Sequence, residues 1–197
     1  MTIAQKTSNS LIKNTWYSLI RFLNGRWHKV AMQLFMLVIF SHLAEHLAQI
    51  FQLWVLGWKR PECLGFLGLV YPWIMKSEWL HYGHALFMLL GLALLRPAIT
   101  GRARVWWNAA FILQFWHHLE HILLLGQVLI RDNLYRFAAP TSIAQVIVQQ
   151  LNHQPLAGQP VLPRIELHLF YNLIVLIPMV VALCYHRFPS ARQTSST

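Results

Sequence analysis

Four long apolar segments divide this chain, and their length constrains the fold more than any other feature of the sequence. Each is long enough to cross the hydrocarbon core of a bilayer, which takes about 20 residues as an α-helix. Only 11% of the 197 residues are charged, whereas soluble domains carry about a quarter. We therefore predict an all-α integral membrane protein, a four-transmembrane-helix bundle with spans at about residues 30–58, 72–95, 105–130 and 163–185.

The segments outside these spans complete the predicted organisation. Residues 1–29 form an N-terminal arm, in which the apolar spacing of residues 11–23 predicts an amphipathic helix lying at the membrane interface. Residues 30–187 form the membrane domain, and residues 188–197 form a polar C-terminal tail. The outer loop, 131–162, is rich in Pro, Gln and Gly, and its part 142–151 has the pattern of a further short helix.

The distribution of Lys and Arg predicts the orientation in the membrane. Ten of the 16 basic residues lie in the N-terminal arm, the second connection and the C-terminus, which leaves six for the opposite side. Because Lys and Arg are in excess in cytoplasmic segments, we predict that both termini are cytoplasmic. The net charge of +10 follows the span ends and forms no basic stripe, so we predict no nucleic-acid partner.

Acidic residues and histidines occur inside the spans, where ionisable groups are costly. Four of the six carboxylates fall one to each span, and eight of the eleven histidines accompany them. Such groups face the interior of a bundle and mark functional sites. The rise of 1.5 Å per helical residue places all of them in the outer half of the spans, so we expect them to converge on one layer.

A short motif repeats along the chain at this layer. His42, Glu45 and His46 occupy one face of the first span, since they are three and four residues apart. The sequence FSHLAEH at 40–46 matches FWHHLEH at 115–121, which lies 75 residues later. Both spans run in the same direction. Two pseudo-repeated helical hairpins, related by a two-fold axis along the membrane normal, would therefore place the two motifs face to face.

This pattern predicts a transition-metal site, binuclear by the number of ligands, in the outer half of the bundle. Imidazole nitrogen and carboxylate oxygen suit iron, with copper or zinc as alternatives. The predicted activity is that of a metal-dependent membrane oxidoreductase that acts on a lipid-soluble or small substrate or a redox partner. Glu45 and Glu120 are the candidate catalytic residues, available for proton transfer. The candidate metal ligands are His42, Glu45, His46, Glu78, His81, His84, His117, Glu120, His121, Glu166 and His168.

Other functions fit the same residues. Haem b or another pigment, in an electron-transfer or light-related complex, would need two axial histidines such as His46 and His121. A metal-ion or proton transporter or sensor also carries ionisable groups in its spans, although the inner half of the first span offers only Gln33. Hydrogen bonds between His and Glu could hold the bundle together without any ligand. The predicted partner is the lipid bilayer, and the pattern is compatible with an oligomer.

Overall fold

The chain folds almost entirely into helices. A computed structural model describes residues 3–187, with side chains from residue 14 onward, so that the predicted tail 188–197 and the first side chains of the amphipathic face lie outside it. In the described part, the α-helices are α1 (Ile3–Asn24), α2 (His28–Trp54), α3 (Gly65–Val70), α4 (Pro72–Met75), α5 (Glu78–Leu95), α6 (Gly101–Ile130), α7 (Ile143–Leu151) and α8 (Arg164–Arg187). The described part also contains two short 3-10 turns, at Arg60–Glu62 and Arg96–Ala98. Two residues of the outer loop, Arg136–Phe137, pair in parallel with Ala157–Gly158.

Three helices of the described part are long and apolar enough to cross a membrane. They are α2, α5 together with the turn that follows it (Glu78–Ala98), and α8. With a helical content of 78%, they are compatible with the predicted all-α membrane protein. Helix α6 has 30 residues, but polar side chains lower its hydropathy, and it packs against both α5 and α8.

The second apolar segment is divided into two helices. Pro72 begins α4 at the position that a first-turn proline favours. The backbone is then extended at Ser77, and the long helix α5 begins only at Glu78. The long helix of this segment therefore starts later than the predicted span 72–95, while the helix in the outer loop, α7, covers most of the predicted segment 142–151.

Helices α2, α5, α6 and α8 run between the same two ends of the bundle. The terminal end is defined by His28, Ala98 and Arg187. There Asn24 joins α1 to α5, because its side chain donates to the carbonyl of Leu94 (2.7 Å) and accepts the amide N–H of Ala98 (3.0 Å). The loop end is the opposite end, where α3, α4 and α7 lie.

An apolar core fills the bundle toward the terminal end. Two buried side chains of α6 fasten it to α5, since the Trp107 indole donates to the carbonyl of Leu92 (2.8 Å) and the Gln114 amide donates to that of Ala85 (2.9 Å). The side chains of this core are all apolar. Its members are Met32, Phe35, Met36, Ile39, Met88, Leu92, Leu95, Ile99, Ala103, Trp107, Ala110, Val175, Leu176, Met179 and Ala182.

Candidate metal centre

Seven histidine rings from four helices form one cluster between the apolar core and the loop end. Neighbouring rings are 3.5 to 6.3 Å apart between centroids. The eighth histidine of the predicted spans, His118 on α6, packs instead against Tyr82, with the two ring centroids 5.3 Å apart. All seven histidines predicted as ligands belong to this histidine cluster, which comprises His42 and His46 of α2, His81 and His84 of α5, His117 and His121 of α6, and His168 of α8.

Two pairs of histidines within the cluster have the spacing of adjacent metal ligands. Nε2 of His42 lies 3.0 Å from Nε2 of His46 on α2. On α6, Nε2 of His117 lies 3.2 Å from Nε2 of His121. Two imidazoles bound to one ion at about 2.0–2.1 Å, at right-angle to tetrahedral geometry, hold their nitrogens about 3 Å apart. At these distances one ring nitrogen of each pair donates a hydrogen bond to the other. An ion that displaced this proton would find two nitrogens placed for it.

Hydrogen bonds outside the cluster fix the protonation of two of its rings. Nδ1 of His46 donates to Oε1 of Gln49 (2.9 Å), and Nδ1 of His81 donates to the carbonyl of Ser77 (3.0 Å). A neutral imidazole carries one N–H, so Nε2 of both rings keeps its lone pair. Metal-bound histidines commonly donate their second ring nitrogen to such a partner, which fixes the tautomer and the ring orientation.

Other nitrogens of the cluster have unused hydrogen-bonding capacity. Within the described residues, Nε2 of His84 and Nδ1 of His117 and His121 are buried without a hydrogen-bond partner. Such atoms are rare, because an unpaired buried polar group costs free energy. A void of about 10 Å³, the scale of a single water molecule, lies beside His117, His121 and His168.

The present ring orientations do not form a complete coordination sphere. Among residues 14–187, no three His, Cys, Asp or Glu side chains surround a common point as the ligands of one ion would. The rings of His42 and His84 are stacked with their centroids 3.5 Å apart, so their nitrogens do not converge. A third ligand for either pair would require at least one ring of the cluster to turn about its Cβ–Cγ bond.

The two candidate catalytic carboxylates are bound to the backbone of short helices. Both oxygens of Glu45 accept the amide N–H of Leu67 in α3, at 3.0 and 3.1 Å. The oxygens of Glu120 accept the amide N–H groups of Ile143 (2.8 Å) and Ala144 (3.0 Å) at the start of α7. The first N–H groups of a helix have no partner within it and attract negative charge. These carboxylates therefore anchor α3 and α7.

The other two carboxylates of the predicted ligand set form ion pairs. Glu78 binds the Arg164 guanidinium through both oxygens. Glu166 accepts a hydrogen bond from Arg60 at 2.7 Å. All four predicted carboxylate ligands thus have at least one partner outside the histidine cluster, while Oε2 of Glu166 is buried without a partner among the described residues.

The sequence repeat continues beyond the His and Glu motif. Gln52 and Gln127 are also 75 residues apart. The Gln52 side chain binds both the N–H (2.9 Å) and the carbonyl (3.2 Å) of Gly65, the first residue of α3. The Gln127 side chain binds the N–H (3.1 Å) and the carbonyl (2.9 Å) of Thr141 before α7. Extending the 75-residue comparison by six positions would have found both glutamines, which the motif alone missed.

Helices α5 and α8 correspond to each other at a separation of 87 residues. His81 then corresponds to His168, and His84 to Tyr171. The ring of His84 lies 3.5 Å from the first histidine of the α2 pair, and that of Tyr171 lies 4.5 Å from the first histidine of the α6 pair. The two halves of the site have the same arrangement of rings, except that Tyr171 occupies in one half the position that His84 occupies in the other.

A cavity of about 290 Å³ reaches the cluster from the loop end. His81 and His168 contribute to its wall, together with the basic side chains of Arg60, Lys76 and Arg164. The cavity therefore offers a route by which a small molecule could approach two of the imidazoles.

Comparisons with protein-family models, with curated proteins and with solved structures found no match for this chain. The function is therefore inferred from the residues of the site itself.

Proposed function

We propose that this chain is a four-span membrane protein whose histidine cluster binds transition-metal ions, and that it acts as a metal-dependent oxidoreductase. The observation that carries the proposal is the convergence of seven imidazoles from four helices, three of them with buried nitrogens that lack a partner. Because the predicted carboxylates bind elsewhere, the donor set is imidazole. This donor suits copper and zinc as well as iron. The two i, i+4 pairs support a binuclear site.

Helix α6 is the proposed fourth span. It begins next to the end of α5 at the terminal end, and its Gln127 binds Thr141 at the loop end. It therefore crosses the same thickness as α2, α5 and α8. Its polar side chains are tolerated because they face neighbouring helices instead of lipid. Four spans place both termini on one side, and the excess of Lys and Arg there supports the cytoplasmic side.

The packing of the cluster favours separate ions over haem b. A haem would have to fit between two axial histidines as a plate much wider than an imidazole. The ring of His46 lies 5.5 Å from that of His168, and the ring of His81 lies 5.2 Å from that of His168. Rings this close together support a site in which imidazoles surround single ions.

The apolar core disfavours a pathway through the bundle. Trp107, Leu92 and Met179 are fully buried between the cluster and the terminal end. An ion or proton pathway would need polar groups there, because a charge in such surroundings is costly. The cavity beside His81 opens toward the loop end, which supports a site approached from that side.

A tyrosine beside the cluster supports redox chemistry. The Tyr171 hydroxyl donates to Glu120 (3.1 Å) and accepts from the indole of Trp116 (3.0 Å), while its ring lies 4.5 Å from that of His117. A phenol that is hydrogen-bonded to a carboxylate can release an electron and a proton together. His117 and His121 would hold a metal ion that accepts an electron, and the Tyr171 phenol could supply this electron while its proton passes to Glu120.

Elemental analysis of the detergent-purified protein, together with its visible spectrum, tests the proposal. We expect about two transition-metal ions per chain, no haem band, and a change of oxidation state when a reductant is added. A haem band would contradict the separate-ion site. Zinc as the only metal that binds would contradict the oxidoreductase but not the metal site.

Single substitutions locate the metal ions. His46→Ala and His121→Ala should each lower metal affinity by more than the roughly 10- to 100-fold that loss of an outer hydrogen-bond partner costs. His118→Asn is the matched control, because His118 is buried on the same helix as His121 but packs on Tyr82 outside the histidine cluster. Full metal occupancy in both cluster variants would contradict the proposed site.

A further inference from the structure

A second site lies at the terminal end, away from the histidine cluster. Helices α2 and α8 leave a groove of about 540 Å³ between them, which we call the terminal groove. It runs from His28 and Arg187 at the terminal end to Phe40 on α2. We propose that the terminal groove binds one anionic phospholipid, with its phosphate at the terminal end and an acyl chain along α2. This proposal is independent of the metal site.

The mouth of the groove carries positive charge. Lys29 of α2 and Arg187 of α8 both line it and are exposed, and none of its lining residues is acidic. Lys and Arg at a membrane surface attract anionic headgroups, and the guanidinium fork matches the geometry of a phosphate. The charge of the mouth therefore selects an anionic headgroup over a zwitterionic one.

Polar groups continue one turn below the mouth. Gln33 lines the groove and is exposed on α2, about 6 Å along the helix from Lys29. His28 lines the mouth itself, and its Nδ1 donates to the carbonyl of Leu23 (3.3 Å), so that its Nε2 keeps a lone pair. The ester groups of a phospholipid lie just below its phosphate. The side-chain amide of Gln33 at this depth can donate to an ester oxygen.

The remainder of the groove is apolar. Met32 and Met36 are buried on its α2 side, Leu183 lines its α8 side, and Phe40 ends it. From Met32 to Phe40 the groove follows α2 for about 12 Å. Methionine side chains adapt their shape to an irregular partner. An acyl chain that starts below Gln33 would lie along this wall.

The order of these groups separates a phospholipid from an uncharged lipid-soluble molecule. Charge, hydrogen-bonding groups and apolar wall follow one another from the terminal end inward, as phosphate, ester and acyl chain do in a phospholipid. An uncharged ring compound would leave Lys29 and Arg187 without an anionic partner. Binding of such a compound is the outcome that would replace this proposal.

Native mass spectrometry of the full chain tests the proposal with two probes, phosphatidylglycerol and phosphatidylcholine with identical acyl chains. We expect one phosphatidylglycerol to bind roughly 30-fold more tightly than phosphatidylcholine, because each of the two basic side chains strengthens the binding of an anionic headgroup by about fivefold. The double variant Lys29→Gln, Arg187→Gln should lose this preference. Met36→Trp should weaken the binding of both lipids, since the larger indole would occupy the space of the acyl chain in the groove.

The control is the double variant Arg131→Gln, Arg136→Gln at the loop end, which removes the same charge outside the groove. It should retain the preference for phosphatidylglycerol. Equal binding of the two lipids to the unmodified chain, or an unchanged preference in the Lys29 and Arg187 variant, would overturn the proposal. So would displacement of phosphatidylglycerol by an uncharged quinone at equal concentration.

Discussion

At the scale of single residues, adjacent positions of the repeated motif have two different roles. Glu45 and His46 follow each other in sequence, so their side chains leave α2 about 100° apart. The His46 ring enters the cluster, where it lies 5.5 Å from that of His168. The Glu45 carboxylate points to α3 instead and accepts the N–H of Leu67. The Glu45 carboxylate thereby holds α3 in place at the loop end.

Cys63 should react slowly with alkylating reagents. Its thiol is buried and hydrogen-bonded to the carbonyl of Lys59 (3.3 Å). Burial, followed by the charge of Glu62, raises the pKa of the Cys63 thiol. A raised pKa leaves less thiolate at a given pH, so alkylation should accelerate only at more alkaline pH than for an ordinary thiol. The Cys184→Ser variant, which leaves Cys63 as the remaining cysteine, allows its rate to be measured against pH.

The comparison for Cys63 is the same variant in denaturant. Equal rates in the folded and denatured protein at every pH would contradict the expected protection, because only the folded chain buries the thiol.

Gly65 should not tolerate a side chain. Its φ of +72° is in the left-handed region, and a Cβ there would collide with the carboxylate of Glu45. Two costs should lower the stability of Gly65→Ala. Backbone strain costs about 1–2 kcal/mol, and loss of the hydrogen bond to the charged Glu45 costs about 1.5–3 kcal/mol. At about 2–4 °C per kcal/mol for a chain of this size, Tm in detergent should fall by roughly 5–20 °C.

Gly83→Ala is the matched control for Gly65→Ala. Gly83 lies in α5, and a Cβ there meets nothing within 4 Å. Since alanine favours a helix by about 1 kcal/mol over glycine, the control should be neutral or stabilised. Equal Tm values for the two variants would show that α3 does not depend on Gly65.

At the scale of elements, α3 and α7 are held to the loop end by equivalent contacts. In each half, a glutamate binds the first turn of the short helix. A glutamine binds the first residue of α3 in one half and the backbone just before α7 in the other. The glutamine lies seven residues after the glutamate, two helical turns along the same face. Two fixed points per short helix explain why segments this short keep a defined position.

Removal of the Glu120 carboxylate should loosen the start of α7. Glu120→Ala deprives the N–H groups of Ile143 and Ala144 of their acceptor. A hydrogen bond to a charged group contributes about 1.5–3 kcal/mol, so amide hydrogen exchange at these positions should accelerate by at least about tenfold. Exchange measured by mass spectrometry checks this. Glu62→Ala, in the exposed turn at Arg60–Glu62, should leave α7 exchange unchanged, and so a similar rise in that variant would contradict the assignment.

The long helices could be predicted from the sequence because hydrophobic length determines them. Apolar runs and flanking Lys and Arg gave α2, α6 and α8 to within a few residues. The break before α5 could not be predicted in this way. Pro72 is a sound start signal, but the extended backbone at Ser77 brings Glu78 to Arg164, which is 86 residues away in sequence. A contact of that separation leaves no local pattern.

The candidate site could be predicted in part for a related reason. Histidines at i and i+4, repeated in a second span, indicate convergence from the sequence alone. The role of the acids depends on what lies beside the helix: the partner of Glu45 is a backbone N–H in α3, and the partner of Glu166 is Arg60. Such partners come from loops whose path the spacing within a span does not determine.

At the scale of the whole molecule, the two halves of the bundle are similar in geometry and different in donors. The ring centroids of the α2 pair are 4.5 Å apart and those of the α6 pair 4.6 Å apart. The half formed by α2 and α5 adds His84 to its pair, whereas the half formed by α6 and α8 has Tyr171 at that place. The Tyr171 hydroxyl is already bound to Glu120 and Trp116. Two ions in this bundle would therefore experience different surroundings.

This difference predicts two unequal metal affinities. When the metal-free protein is titrated with Co²⁺ and followed by its visible absorption, the first ion should enter the half formed by α2 and α5, which has four cluster histidines against three in the half formed by α6 and α8. It should bind at least about tenfold more tightly than the second ion, since each added ligand strengthens binding. His84→Ala should weaken the first phase, and Tyr171→His should strengthen the second. His118→Asn should change neither. If His84→Ala leaves the tight phase intact, the stacked ring of His84 does not turn to bind, and the asymmetry between the halves has no consequence for the metal.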